Sequence, residues 1–327
     1  MEQDQLRSIA ELFGARPLGQ IRELTKGHIN RTFLLRCEEG EAVLQSLSPI
    51  FPSPENVMHN IAQVTRAFGE TPDCGICVPG YLPCGERNFA ELDGLVWRMY
   101  PYAGGSGELS PYRTGCAFGE FIRILSSRRL KLKEALPGYH SFEGYFSRFT
   151  AVSSASASRK PDSAVTAQLG RLGETLSQVF TGKLPKRVIH GDAKSANLVA
   201  GDCPTVIDLD TVMTGYAAID YGDMARSAMR ESAPDMAVLR DLTRGFAGGT
   251  RGLLTGEEVG SLYYGILWAV GELAVRYLTD YISGEGYFRQ SAGECLARAD
   301  ALLGQLRGFL SAGGEIMEMI EESFFGG

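Results

Sequence analysis

The sequence predicts an α+β chain in two parts: a small β-sheet N-terminal lobe over residues 1–100 and a larger, mainly helical C-terminal lobe over 101–327. Three observations carry this. Strand-like runs crowd residues 18 to 47. A segment rich in Pro and Gly, Pro101-Tyr102-Ala103-Gly104-Gly105-Ser106-Gly107, follows a further strand and reads as a hinge. Beyond it, apolar residues recur at helical spacing almost to the end.

The elements follow in order. Leu18 to Lys26 is the first strand. Thr32 to Cys37 alternates apolar and polar, and Ala42 to Leu47 follows a turn at 38–41 whose Gly40 suits a tight hairpin. Ser53, Pro54 and Glu55 form a helix start, and Val57, Ile61, Val64 and Phe68 then share one face. Residues 71 to 88 read as loop and Leu95 to Tyr100 as strand. Helices follow around Phe118–Leu125, around Val165–Val179 (closed by Gly182), around Leu262–Tyr281 and, as the last, around Leu296–Leu310. The Ser/Ala alternation from Ser153 to Ser158 reads as an exposed loop.

The 327 residues carry 44% hydrophobic residues and a formal charge of −7. That balance suits a globular chain and disfavours sequence-independent nucleic-acid binding, which needs a basic surface. No run of about 18 apolar residues predicts a membrane span. The acidic N-terminus is unlike a signal peptide, so the expected location is the cytoplasm. Seven cysteines are expected to be reduced. Cys74-x-x-Cys77 with Cys84 is the one cluster with zinc-like spacing. No fourth ligand follows at similar spacing, and the loop reads as carrying incidental thiols.

The richest segment runs from His190-Gly191-Asp192-Ala193-Lys194-Ser195-Ala196-Asn197 through the strand-like Val206-Ile207-Asp208-Leu209-Asp210 to Asp220-Tyr221-Gly222-Asp223. An acid precedes an amide by five residues, and a second acid caps an apolar run eleven residues later. Phosphoryl transfer needs these groups: a carboxylate to take a hydroxyl proton, and an amide and a carboxylate to hold magnesium on a nucleotide. Asp192 is therefore the expected base, Asn197 and Asp208 the expected metal ligands, and Asp210 either a further ligand or a brace for the turn. Lys194 is a candidate for neutralising charge on the transferred group. The turn at Gly201-Asp202 folds Leu198–Ala200 back on Thr205–Ile207 as a hairpin. Asp220 is expected to bond catalytic-loop amides, His190 to be a packed strut, and Arg226 to pair with Asp223 or serve the substrate. In the N-terminal lobe, Gly27, His28 and Asn30 join two strands where backbone amides can meet phosphates. Met99, Tyr100 and Tyr102 are expected to line an adenine slot, chiefly through backbone groups. A small strand-rich lobe, a hinge and a larger helical lobe is the protein-kinase-like plan.

His190-Gly191-Asp192-x4-Asn197 with Ile207-Asp208 resembles the aminoglycoside phosphotransferase and choline kinase superfamily. Gly27-His28-Ile29-Asn30, Leu44-Gln45 with Asn56–Ile61, Ile207–Arg226, and Arg276-Tyr277-Leu278-Thr279-Asp280-Tyr281 with Gly286-Tyr287-Phe288 look more closely like the N-acetylhexosamine 1-kinase group. The resemblance implies a two-lobed kinase fold, ATP and Mg2+, a small-molecule substrate, and phosphorylation of the anomeric hydroxyl of an N-acetylhexosamine or related sugar. It places Asp192 as base and Asn197 and Asp208 on the metal. Arg276, Tyr287 and Arg298 stand as candidate substrate contacts beside Asp192. Three departures are visible. Gln45 stands where most kinases of this fold carry a lysine, leaving Lys26 or Arg31 as candidates to hold phosphates. Arg31 follows Gly-His-Ile-Asn where an acid is usual, and Gly293–Arg298 lacks the usual His-Asn-Leu run. The alternatives are a kinase of another small alcohol, such as an amino alcohol or aminoglycoside, or a non-catalytic nucleotide-binding relative; Gln45 favours the last and the intact acid–amide–acid trio opposes it. Oligomeric state is not legible.

Overall fold

A computed structural model describes residues 3–24, 29–71, 73–105, 107–229 and 231–326. The chain divides into two compact units. The first comprises residues 1–108, 128–137 and 198–213, and the second 109–127, 138–197 and 214–327.

The N-terminal unit is built on a five-stranded antiparallel sheet in the order β1-β2-β3-β5-β4. Its strands are β1 (Pro17–Leu24), β2 (Arg31–Cys37), β3 (Gly40–Ser46), β4 (Ala90–Leu92) and β5 (Leu95–Pro101). The alternation read in the sequence sorts the two faces. Phe33, Leu35, Ala42, Leu44, Trp97 and Met99 point to one side, where Leu6 and Ile9 of helix α1 (Gln3–Glu11) complete an apolar core. Thr32, Leu34, Val43, Gln45, Arg98 and Tyr100 therefore belong to the opposite face, because side chains alternate along a strand. Helix α2 (Pro54–Gly69) starts at Pro54, whose fixed φ suits the first turn; Ser53 stands at the cap without bonding through its side chain.

Residues 73–88 are irregular, as expected, but they are anchored. The Cys77 amide donates to Pro204 O and Val206 N donates to Cys77 O, both at 2.8 Å, so this loop runs beside the hairpin of β7 (Leu198–Val199) and β8 (Thr205–Val206). Cys77 and Cys203 are joined as a disulfide with their Cα atoms 6.1 Å apart. The expectation of seven reduced cysteines fails for this pair, because the hairpin brings together residues 126 apart in sequence. Among the described residues no cluster of His, Cys, Asp and Glu suits a metal ion.

The second unit is helical: α3 (Pro111–Ser126), α4 (Phe142–Ala155), α5 (Ser163–Val179), α6 (Ala217–Ala228), α7 (Met236–Thr250), α8 (Gly256–Ser283), α9 (Ala292–Ser311) and α10 (Gly313–Phe325), with the short strand β6 (Arg187–Ile189); β9 (Met213–Gly215) begins at the boundary. Two expectations are corrected here. Helix α4 runs on through Ser153 to Ala155, because the hydroxyls of Ser153 and Ser154 bond carbonyls one turn back instead of opening a loop. Helix α9 is not the last, since Ile316, Met319 and Ile320 of α10 give a further buried face. Helices α6 and α8 cross at Gly222 and Gly265, so closely that a Cβ on Gly222 would lie 2.0 Å from Gly265 O. Among the described residues no helix is long and apolar enough to cross a membrane.

Candidate active site

In the helical unit, β6 ends at Ile189 and the chain turns through His190–Asn197. The turn is fixed through its main chain. Asp220, in the first turn of α6, accepts from His190 N at 2.7 Å and Gly191 N at 2.8 Å. Burial raises the pKa of Asp220, partly offset by His190 and by these two amides. Gly191 sits at φ 78°, a conformation that favours glycine. His190 is fully buried between the rings of Phe118 and Phe121, and its Nδ1 faces the Asp192 amide at 3.3 Å. It is the packed strut that its position suggested.

This frame delivers Asp192. Its Oδ2 accepts from Lys194 Nζ at 2.7 Å and from Asn197 Nδ2 at 2.9 Å, and Asn197 Nδ2 also reaches Asp192 O at 2.8 Å. Burial alone would raise the Asp192 pKa. The Lys194 ammonium, with help from His190 and Asn197, more than offsets it and holds the carboxyl below its ordinary value. Asp192 is therefore ionised at neutral pH, as a proton acceptor must be. Asn197 commits its NH2 group to Asp192, which turns its amide oxygen to other use.

A second cluster in the same unit surrounds Arg276 of α8. Its guanidinium lies 5.1 to 5.7 Å from the ring centres of Tyr139, Tyr145, Tyr287 and Phe288, donates to Tyr287 Oη at 2.7 Å, and pairs with Glu272 at 3.6 Å. Asp280 holds the loop after α8 by accepting from the Tyr287 and Phe288 amides, both at 3.0 Å. Phe288 stacks on Tyr277 with ring centres 3.7 Å apart. Tyr139 packs on His140, with ring centres 4.1 Å apart, and His140 Nε2 lies 2.7 Å from Gly191 O in the 190–197 loop. Burial pushes the Tyr139 hydroxyl well above the ordinary range, with Asp192, Asp223 and Glu272 raising it further and Arg276 opposing them. Arg226 pairs with Asp223 at 2.7 Å, one of the two uses its position suggested. Arg298 is exposed on α9 and adds positive field at Tyr277.

The N-terminal unit carries the other acids. Asp208 adopts φ 61°, ψ 53°, a left-handed conformation uncommon for a residue with a Cβ. Two residues on, Asp210 is almost fully buried; its Oδ1 receives Arg98 and its Oδ2 receives Asn30 Nδ2 at 2.7 Å. Arg98 also donates to Gln45 Oε1 through Nε and Nη2, and Gln45 donates to Thr32 Oγ1. Burial disfavours the Arg98 charge, and Asp210 more than restores it, so its pKa stands above the ordinary value. The strand position that lacks a lysine is thus filled by a Gln–Arg–Asp chain. Asn30 braces Asp210, and its Oδ1 accepts the Ser48 amide at 2.9 Å.

On this face of the sheet a groove of about 560 Å³ is lined by Gln20, Arg22, Glu23, Leu34, Arg36 and Glu41. Met99 turns its side chain into the opposite core, and its carbonyl accepts from Leu82 N. Tyr100 stands on the groove side of the sheet with its ring 5.0 Å from Tyr81, and the Tyr102 amide donates to Glu41 O. Arg31 is paired with Glu23. Lys26, Gly27 and His28 lie outside the described residues. Sequence reasoning missed Arg98, Tyr139, His140, Tyr145 and Glu272. The available signal was register: Arg98 sits opposite Gln45 once β3 pairs with β5.

Solved structures share this fold at low identity. A microcompartment-associated aminopropanol kinase matches with TM-score 0.69 and 16% identity over 97% of this chain and 99% of that one. A choline/ethanolamine kinase family protein from Mesorhizobium loti matches with TM-score 0.64 and 16% identity over 98% and 99%. Spectinomycin phosphotransferase, solved with ADP and spectinomycin, matches with TM-score 0.59 and 13% identity over 99% and 98%. The family model described as the phosphotransferase enzyme family matches residues 20–254, and the chain belongs to that family.

Proposed function

We propose that this phosphotransferase uses ATP and magnesium to phosphorylate a neutral, hydroxyl-rich acceptor, with the anomeric hydroxyl of an N-acetylhexosamine or a related sugar as the best reading. The observation that carries it is the Arg276 cluster, whose Tyr139 packs on His140 where that ring bonds Gly191 O, next to Asp192. Aromatic rings offer flat apolar faces to a sugar ring, while Arg276, Arg226 and Asp223 offer donors and acceptors to its hydroxyls. A quaternary ammonium group would meet the Arg276 guanidinium in that aromatic box, where cation–π recognition needs the rings for itself.

In the reaction Asp192 accepts the acceptor hydroxyl proton as that oxygen bonds to the γ-phosphorus and the bond to the β-γ bridging oxygen breaks. Lys194 holds Asp192 ionised and adds positive charge beside it. Asn197 and Asp208 offer hard oxygen donors of the kind magnesium prefers, and the motif assigns the ion to them. Bound there, magnesium would neutralise charge on the phosphates. Asp210 serves as brace because both its oxygens are engaged. The groove beside Arg22 and Arg36 suits the nucleotide, with Tyr100 on the same sheet face; the Met99 carbonyl and both main-chain groups of Tyr102 are bonded within this unit.

The test is an ATP-consumption screen over N-acetylhexosamines, neutral hexoses, choline, ethanolamine, aminopropanol and aminoglycosides, with Asp192→Asn as control. Turnover of an N-acetylhexosamine, with phosphate on the anomeric carbon by 31P NMR, is expected. Turnover of cationic alcohols alone would overturn the reading.

A further inference from the structure

His140 lies outside every motif read in the sequence, yet it touches the catalytic loop. It precedes α4 in a left-handed conformation, φ 55°. The ring is buried, with 8% of its side chain exposed, and its centre is 4.1 Å from that of Tyr139. Nε2 lies 2.7 Å from Gly191 O and Nδ1 lies 3.3 Å from the Glu272 carboxylate.

These partners decide the protonation state. A carbonyl oxygen only accepts, so Nε2 must carry hydrogen. A bare Nδ1 would then set its lone pair against a carboxylate, whereas a protonated one donates to it. Glu272 is itself fixed by Trp268 Nε1 at 2.9 Å and by Arg276. The charged groups around the ring are Glu272 and Arg276 from α8 and Asp220 and Asp223 from α6; Asp192 follows the carbonyl that the ring holds. Burial opposes the charge on His140, and Glu272 more than offsets it, lifting the pKa to about 9.

The two peptide groups that flank the Gly191 Cα are thus each held. Asp220 takes the amides of His190 and Gly191, and His140 takes the Gly191 carbonyl. We propose that His140 is a positioning residue, an imidazolium tethered by Glu272 that fixes the Gly191 peptide and through it the direction in which Asp192 faces the acceptor hydroxyl. The proposal rests on the reading of Asp192 as base. It adds an ionic strut, from α8 through His140, to the carboxylate of α6 that the motif already implied.

The test compares His140→Ala, His140→Gln and Glu272→Gln in the full chain. With whichever acceptor the wild type turns over, His140→Ala should lose about 10- to 100-fold in kcat with both KM values within about threefold, the signature of a misdirected base rather than lost binding. His140→Gln keeps an N–H for Gly191 O and should recover most of that loss. Equal impairment of the two, or a wild-type kcat in His140→Ala, would overturn the proposal. Side-chain 1H–15N correlation spectra at pH 8, assigned by His140→Gln, need no acceptor and so separate failure of the strut from failure of the substrate reading. Both His140 nitrogens should carry hydrogen in the wild type, and one should lose it in Glu272→Gln. A neutral His140 at pH 8 would sink the strut even if a sugar is phosphorylated. Should His140→Ala fail to fold, the other two variants and the spectra still decide.

Discussion

The catalytic loop at 190–197 and the turn at 208–210 are both short, irregular and acidic, yet they are held by opposite means. The catalytic loop is gripped through its main chain, by Asp220 at two amides and His140 at a carbonyl. The Asp192 side chain is left to Lys194 and Asn197 on one oxygen. The 208–210 turn is gripped through a side chain: Asp210 is spent on Arg98 and Asn30, and its neighbour Asp208 takes the left-handed backbone. Main-chain bracing leaves the Asp192 carboxylate to side-chain partners, as its proposed role as base requires. Side-chain bracing commits Asp210 two residues after Asp208.

The largest test of this contrast is Asp192→Asn. The amide cannot accept the proton, and kcat should fall by roughly 10²–10⁴-fold while the melting temperature barely moves, measured by coupled assay and calorimetry. Arg98→Met attacks the other region. It leaves Asp210 buried without its cation, so stability should drop by about 3–5 kcal/mol in a denaturant melt, with Arg98→Lys intermediate. A loss under 1 kcal/mol would show that the brace is not the guanidinium. Gln45→Lys restores the lysine that most kinases of this fold carry, but here it would face Arg98. It should cost about 1–3 kcal/mol and give no gain in kcat/KM for ATP; a gain would mean that the Gln–Arg–Asp chain is dispensable. The smallest effect is in pH dependence. The folded pKa of His140 lies above its ordinary 6.5, so its contribution is complete below about pH 6.5 and is lost as pH rises through about 9. Glu272, held low despite burial, contributes above about pH 4.5 and fades as pH falls. The stability difference between wild type and His140→Gln should therefore be greatest between about pH 4.5 and 6.5 and shrink toward pH 9; a flat difference would remove the charge from the argument.

The division also governs what the sequence made legible. Asp192, Asn197, Asp220 and the 198–206 hairpin could be read because they lie within one short stretch, where spacing alone fixes geometry. Four of the five strands of the sheet and five of the ten α-helices among the described residues were legible from apolar period; α1, α4, α6, α7 and α10 were not. Arg98, His140 and Glu272 were not, because each acts on a partner far along the chain and carries no local signature: 112 residues separate Arg98 from Asp210, and 132 separate His140 from Glu272. Ser153–Ala155 misled because hydroxyls that favour loops also bond back within a helix. The Cys77–Cys203 pairing was hidden for the same reason as the long-range ion pairs.

Helix α8 carries three separate fittings along its 28 residues. Near its start Glu258 bonds Arg187 of β6 through both carboxylate oxygens, at mid-length Glu272 meets His140, and near its end Asp280 suspends the Tyr287–Phe288 loop. For anyone re-engineering this end of the helix, the loop at 284–291 is no independent part. Asp280 docks it, but its Tyr287 and Phe288 also box Arg276, which pairs with Glu272, so a change in the loop reaches back to the middle fitting.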